Sequence, residues 1–178
     1  MTKKIRNHPL LAVFMTVFID LLGVGILIPV FPQLVTPGSP DSILPAGWTV
    51  AQGFILLGWL SAAYPLAQFL AAPIMGQLAD RYGRKPVLAI SILGTAIGYA
   101  LFAIGLLTKN IPLLFFSRIL DGFTGGNISV AQAAIADIST PKNRAKNFGL
   151  IGMAFGLGFI LGPYIGGKLA DPSVVSWF

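Results

Sequence analysis

The chain has 178 residues, of which 55% are hydrophobic and only 10% are charged, and its formal net charge is +6. This balance leaves too little polar surface to cover a water-soluble domain of that size, so we expect the chain to be solvated by lipid. The absence of cysteine excludes disulfides, thiolate catalysis and cysteine-based metal sites.

Five apolar segments are each long enough to cross the roughly 30 Å hydrocarbon core of a bilayer as a helix. The predicted spans cover residues 9–33, 49–75, 87–107, 112–136 and 147–168. Helices are expected because every backbone polar group must be satisfied within its own segment. The predicted fold class is therefore an all-α membrane protein.

The basic residues outside the spans indicate the orientation of the chain. Nine lie on one side, before the first span and in the connections after the second and fourth spans, and two lie on the other side. The nine are Lys3, Lys4, Arg6, Arg81, Arg84, Lys85, Lys142, Arg144 and Lys146, and the two are Lys109 and Lys168. Because cytoplasmic connections carry an excess of Lys and Arg, the N-terminus is predicted to be cytoplasmic.

The first span contains a carboxylate near its middle. A rise of about 1.5 Å per residue places Asp20 roughly 16 Å from the cytoplasmic end of this span. Leu22-Gly23 follows, and after five more residues the sequence reads Pro29-Val30-Phe31-Pro32. This pattern is similar to the first-helix motif of the twelve-span drug:proton antiporters of the major facilitator superfamily.

The connection between the second and third spans reads Gly-Gln-Leu-Ala-Asp-Arg-Tyr-Gly-Arg-Lys-Pro over residues 76–86. A simple turn with cytoplasmic positive charges explains the Arg and Lys residues but not the spacing of the two glycines and the aspartate. The string resembles motif A of the same superfamily. Its members here are Gly76, Asp80, Arg81, Gly83, Arg84 and Lys85.

The fourth span carries Arg118 and Asp121, which lie three residues apart and therefore share a helix face. Asp121 lies roughly 15 Å from the outer end, so these charges are at the depth of Asp20. An ionised side chain at this depth needs a partner or a wet cavity. Three readings remain open: a structural ion pair, a carboxylate that gains and loses a proton, and direct coordination of a substrate.

The same span resembles motif B, whose arginine the family associates with proton transfer. Leu114, Arg118 and Gly122 carry this resemblance. Asp121 departs from the pattern, since the family often has Gln at that position.

The fifth span contains three glycines at four-residue spacing, which form a flat stripe that lets a neighbouring helix pack closely. Pro163 removes one backbone hydrogen bond and is expected to bend the helix. The pattern Gly-x-x-x-Gly-Pro-x-x-Gly-Gly resembles motif C, which the family carries in antiporters. Its members are Gly158, Gly162, Pro163, Gly166 and Gly167.

The resemblance implies the major facilitator fold, with this chain supplying the first five of the six helices in the N-terminal half. The sixth helix and the C-terminal half would lie outside the chain. It also implies export of drugs or other small amphipathic molecules, driven by protons without a cofactor, in the cell (inner) membrane, and is strongest to tetracycline and multidrug exporters. Motif A would then lock the outward-facing state, with Asp80 facing a helix terminus of the missing half and Arg84 in the charge network.

Other functions remain as alternatives. A metabolite or sugar uniporter or symporter is disfavoured by the motif C resemblance, and a non-transporting membrane receptor on the same scaffold is disfavoured by the charges inside the spans. The sequence shows no nucleophile beside a base, no phosphate-binding loop and no metal-ligand cluster, and its single histidine is His8. We therefore expect neither an enzyme nor a nucleic-acid partner.

Overall fold

The computed structural model describes residues 8–36 and 42–170, and these residues form helices with no β-strand. The helices are α1 (His8–Leu34), α2 (Val50–Tyr82), α3 (Arg84–Leu107), α4 (Ile111–Thr124), α5 (Asn127–Ile138) and α6 (Arg144–Leu169). The predicted all-α membrane protein is confirmed.

Four of the described helices, α1, α2, α3 and α6, are long and apolar enough to cross a membrane. Several prolines lie inside them without ending them, including Pro65 and Pro163. Large apolar side chains on these helices face outward, among them Phe69 and Ile160. Such exposure is costly in water and ordinary in lipid, so the chain is a multi-pass membrane protein.

The predicted fourth span differs from the structure. Residues 112–136 were expected to form one helix, but the chain forms α4 and α5, separated by Gly125 and Gly126. The N–H of Gly125 still donates to the carbonyl oxygen of Asp121, so the interruption is short. Both pieces pack against α2 and α3. The span is therefore interrupted by a two-residue turn that keeps a right-handed backbone, with φ of −70° at Gly125 and −62° at Gly126, where two residues without side chains weaken helix propensity.

The helix ends follow local sequence signals. Thr49 and Gln52 form a capping box at the start of α2, and Asn110 accepts the N–H of Leu113 at the start of α4. Gly83 joins α2 to α3 with φ of 94°, a conformation that side chains with a Cβ rarely adopt. The motif A glycine at this position is thus required by the backbone.

The glycine stripe of α6 packs against α1. An added Cβ on Gly158 would lie 2.7 Å from the Cβ of Leu21, and one on Gly162 would lie 2.7 Å from the Cα of Gly25. An added Cβ on Gly166 would lie still closer to the carbonyl oxygen of Ile26. The absence of side chains therefore lets these two helices approach closely.

Two apolar clusters hold the helices together. One includes Val17 and Ile135 and lies towards the predicted cytoplasmic end, and the other includes Leu60 and Leu114 and lies towards the opposite end. The positions between them along α3, α4 and the start of α5 carry buried polar side chains. These are Ser91, Thr95, Ser117, Arg118, Asp121 and Asn127, with Asp20 and Thr16 contributed by α1.

Candidate functional site

Asp20 of α1 is buried, with 5% of its surface exposed, and its carboxylate is bound by Asn127. Asn127 Nδ2 donates to Asp20 Oδ2 over 2.6 Å, and Asn127 is itself fully buried. Because Asn127 is the first residue of α5, this hydrogen bond ties the first span to the edge of the helix break. A buried hydrogen bond to a charged group is worth about 1.5 to 3 kcal/mol.

Arg118 and Asp121 of α4 form an ion pair inside the protein. Arg118 Nη1 lies 3.3 Å from Asp121 Oδ2, and both side chains are only 2% exposed. The guanidinium carbon also lies 4.9 Å from the ring centre of Tyr99 and 4.4 Å from that of Phe102. Charge attraction and cation–π contacts therefore hold the guanidinium, not a bidentate fork.

Thr95 of α3 lies beside both carboxylates, those of Asp20 and Asp121. Its side chain is buried within hydrogen-bonding reach of both carboxylates, and the two carboxylates are close enough to each other to interact electrostatically. Gly98, one turn further along α3, leaves the space that Asp121 fills, since an added Cβ would lie 2.8 Å from the Asp121 Cβ. The structure thus brings together Asp20, Arg118 and Asp121, the three residues predicted to share one depth.

A cavity of about 610 Å³ lies beside this polar layer. Its wall is formed mainly by apolar side chains of α1, α2 and α6, including Phe31, Leu57 and Phe155. The polar side chains in the wall are Ser61, Tyr64, Gln68 and Arg118. A cavity of this size with few polar groups suits a small, mostly apolar molecule.

Gln68 connects the cavity to the break in the fourth span. Its Nε2 donates to the carbonyl oxygen of Gly125 over 2.6 Å and to the Tyr64 hydroxyl over 3.1 Å. Gly122, the motif B glycine, packs directly against the Tyr64 carbonyl, so α2 and α4 are in close contact here. The cavity wall and the break are therefore one packed unit.

A second group of charges lies at the predicted cytoplasmic end. Arg84 Nη1 lies 2.6 Å from Asp80 Oδ1, and Arg84 Nε donates to Asp137 Oδ2 over 3.2 Å. Asp80 and Asp137 are more than half exposed. The guanidinium of Arg81 instead lies 5.4 Å from the ring centre of Tyr82. Arg84 thus joins the ends of α2, α3 and α5.

The remaining motif residues lie apart from the central polar layer. Lys85 follows Arg84 in the first turn of α3, and Gly76 lies two turns before the end of α2. Nothing lies within 4 Å of an added Cβ at Gly76 or Gly167. The side-chain ring of Pro163 faces Gly25 of α1. His8 is the first residue of α1, and its side chain lies outside the description.

Sequence reasoning missed several residues of these groups, among them Thr95, Asn127 and Asp137, as well as Gln68 and Tyr64 of the cavity wall. Asn127 had a usable signal, because a polar side chain directly after Gly-Gly within an apolar run marks a helix break. Thr95 and Asp137 had none, since a threonine on a span and an aspartate near a loop are ordinary. Among residues 8–36 and 42–170, no three His, Cys, Asp or Glu side chains gather as a metal site would require.

The family model and the similar proteins point to the same family. Residues 3–178 match the model of the Major Facilitator Superfamily. The chain is 35% identical to the class H tetracycline resistance protein of Pasteurella multocida and 40% identical to the class C protein of Escherichia coli, over 94% of this chain in both cases. It is 32% identical to human major facilitator superfamily domain-containing protein 10 over 93% of the chain. In each case the chain spans 39% of the relative's length.

Proposed function

Because the chain belongs to the Major Facilitator Superfamily of membrane transporters, we propose that it is the N-terminal part of a proton-coupled exporter. The exporter moves drugs or other small amphipathic molecules by alternating access and resides in the cell (inner) membrane. The rest of the protein supplies the sixth helix and the C-terminal half, which complete the central cavity. No covalent chemistry and no cofactor are required.

The observation that carries this proposal is the charge balance beside the cavity. Asp20 and Asp121 are buried with a single guanidinium, that of Arg118, so one negative charge is uncompensated when both carboxylates are ionised. A buried, unpaired charge is costly in a membrane protein. Uptake of one proton removes the cost, and release becomes favourable when water reaches the carboxylates. These residues therefore serve as the proton pathway.

The substrate class follows from the cavity wall. Its apolar lining favours amphipathic molecules, and Arg118, Gln68 and Tyr64 supply the polar contacts that orient them. The curated relatives include proteins named for tetracycline resistance, so tetracycline-like compounds are the first candidates. Arg118 faces both the cavity and Asp121, which lets the bound substrate affect the protonation of the carboxylate.

The two packed motifs supply the conformational part of the mechanism. Arg84, held by Asp80 and Asp137, fixes the cytoplasmic ends of α2, α3 and α5, and these ends act as a latch against the other half of the transporter. The close contact of Gly162 with Gly25 holds α1 and α6 together as one body that rocks as a unit. The partner of the latch lies in the C-terminal half.

The test is substrate-driven proton movement by the full-length protein in liposomes, followed with a pH-sensitive dye. The compounds are tetracyclines and lipophilic cations, added after a pH gradient has been formed. Proton movement that depends on one compound supports antiport and identifies its class. Transport of a compound without proton movement would contradict proton coupling and favour uniport, and no transport by folded protein would favour a receptor.

A further inference from the structure

Asp20 is held by uncharged partners, although a guanidinium lies in the same polar layer. The guanidinium of Arg118 pairs with Asp121 of its own helix, over 3.3 Å. Among the residues that the structure describes, no cation lies within ion-pair distance of Asp20. Its carboxylate is instead bonded by Asn127 and lies within hydrogen-bonding reach of Thr95. The position of this buried carboxylate therefore depends on hydrogen bonds from neutral side chains.

Asn127 makes the well-defined contact to this carboxylate. Its Nδ2 donates to Asp20 Oδ2 over 2.6 Å, and its side chain has no exposed surface. It is the first residue of α5 and directly follows the turn at Gly125 and Gly126. Elsewhere α1 and α5 contribute apolar side chains, such as Val17 and Val130, to one cluster. The amide of Asn127 therefore fixes the carboxylate relative to the turn in the fourth span.

An amide can bond to both forms of a carboxyl group. The N–H groups of an amide donate to an ionised carboxylate, whereas the O–H of a protonated acid needs an acceptor, which the amide oxygen supplies. Asn127 Oδ1 accepts no hydrogen bond from the described residues, so it is available for that role. A half-turn of the amide group exchanges its oxygen and nitrogen. One side chain can therefore hold Asp20 before and after it binds a proton.

The titratable groups that act on Asp20 belong to the same polar layer. They are Tyr64 of α2, Tyr99 of α3 and Asp121 of α4, with Arg118 acting through its contact with Asp121. No titratable side chain among the described residues of α5 and α6 acts on Asp20. Tyrosine is ordinarily neutral near pH 7, so the two carboxyl groups are the ones that can exchange protons. The bond from Asn127 goes to Asp20.

We propose that Asn127 is the positioning residue of Asp20 during proton exchange. In the ionised state its amide donates to the carboxylate. When a proton from water binds the carboxylate, the new O–H donates to the oxygen of the turned amide, and no other covalent bond changes. Asp20 thus keeps its place beside Thr95 and Asp121 in both states. The inference rests on the proposed function only in placing Asp20 on the proton pathway.

Asn127→Leu tests this role in the full-length protein, because leucine has a similar length but neither donates nor accepts a hydrogen bond. We expect the initial rate of gradient-driven transport to fall by roughly tenfold or more, as suits the loss of a hydrogen bond to a charged group. Substrate counterflow, which requires no net proton movement, should be retained. Unchanged gradient-driven transport would overturn the proposal. An equal fall in both rates would also overturn it, since that result indicates a purely structural role.

Asn147→Leu is the matched control. Asn147 of α6 is also buried, with 6% of its surface exposed, but its Nδ2 donates to the Ser139 hydroxyl over 2.9 Å. The variant therefore loses a buried amide bond that does not involve Asp20. We expect it to keep the wild-type ratio of gradient-driven transport to counterflow. A fall in that ratio equal to the fall in Asn127→Leu would overturn the specific role of Asn127.

Infrared difference spectroscopy gives a second measurement that needs neither transport nor a variant at Asn127. The purified full-length protein, with a heavy carbon isotope in the side-chain carbonyl of asparagine, is compared in alkaline and acidic buffer. We expect a labelled carbonyl band to shift in acid, because the amide oxygen becomes an acceptor. The shift should be absent in Asp20→Asn, whose side chain binds no proton. A wild-type spectrum without the shift would overturn the proposal.

The infrared and transport measurements can fail separately. An amide shift that depends on Asp20, without substrate-driven proton movement, would support the positioning role and defeat the proposed function alone. Substrate-driven proton movement without any amide shift would defeat this inference alone.

Discussion

Gln68 of α2 donates a hydrogen bond from Nε2 to the carbonyl oxygen of Gly125, over 2.6 Å, at the point where the fourth span is interrupted. The same amide bonds the Tyr64 hydroxyl, and both Gln68 and Tyr64 line the cavity. A molecule that enters the cavity and competes for this amide therefore acts on the helix break. Because Asn127 begins the helix after the break and holds Asp20, the cavity and the buried carboxylate are connected through a few residues.

Replacing Gln68 tests this connection. Gln68→Leu removes both hydrogen bonds at similar size, and we expect a loss of about 1 kcal/mol of stability together with weaker substrate affinity. Thermal unfolding and the concentration dependence of transport measure the two effects. Gln77→Leu is the control, since Gln77 lies exposed on the same helix. Wild-type substrate affinity in Gln68→Leu would show that the amide is not part of the binding wall.

Asp20→Asn is expected to abolish uptake driven by a pH gradient while substrate counterflow continues. Asparagine cannot release a proton at this site, but it has the shape of aspartate and can still bond to Asn127. Counterflow requires no net proton movement, so it separates loss of coupling from loss of folding. Unchanged gradient-driven transport would remove Asp20 from the proton pathway.

Asp121→Asn distinguishes the two carboxylates. If Asp121 serves only as the partner of Arg118, this variant should leave gradient-driven transport intact and lower the unfolding temperature, because the guanidinium is then buried beside a neutral side chain. If it carries the proton, coupling is lost as in Asp20→Asn. The proposed pathway, which contains both residues, predicts loss of coupling by more than tenfold in initial rate, about 1.4 kcal/mol. Retained coupling would restrict the pathway to Asp20.

Much of the fold could be predicted because few backbone structures are stable inside a membrane. An apolar run of about 20 residues must become a helix, and a charge within it must find a partner. The depth of Asp20, Arg118 and Asp121 along their spans was enough to place them in one layer. The periodic glycines of α6 predicted a close contact with another helix, but they did not identify α1 as that helix.

The rest of the site depends on how each helix is rotated about its axis and which helices pack together. The hydropathy of the sequence predicts neither. Thr95 reaches the carboxylates only because α3 presents that face to α1 and α4, and a threonine on a span carries no distinguishing signal. The break at Gly125 was hidden because the run on both sides is apolar, although Gly-Gly before Asn127 was visible. Asp137 binds Arg84 and lies on α5, which was predicted to be the last part of a longer fourth span.

The proposed latch at the predicted cytoplasmic end leads us to expect an effect on transport rate and little effect on stability. Arg84→Ala removes two ion pairs with largely exposed carboxylates, which are worth about 0 to 1 kcal/mol each, so the unfolding temperature should change little. Transport should slow because one conformation loses its lock. Lys146→Ala is the control, since this exposed cation lies outside motif A and no carboxylate among the described residues is within ion-pair distance of it. Equal transport rates in the two variants would argue against a latch at Arg84.

The contact between α1 and α6 predicts a contrast between two glycines of the same helix. A Cβ at Gly162 would lie 2.7 Å from the Cα of Gly25, a backbone atom that cannot move aside, whereas nothing lies within 4 Å of a Cβ at Gly167. We therefore expect Gly162→Ala to cost about 1 to 3 kcal/mol through forced separation of the helices. Gly167→Ala should be neutral or slightly stabilising, because alanine has the higher helix propensity. Thermal unfolding of the two full-length variants measures the difference, and equal unfolding temperatures would show that the helices can separate without cost.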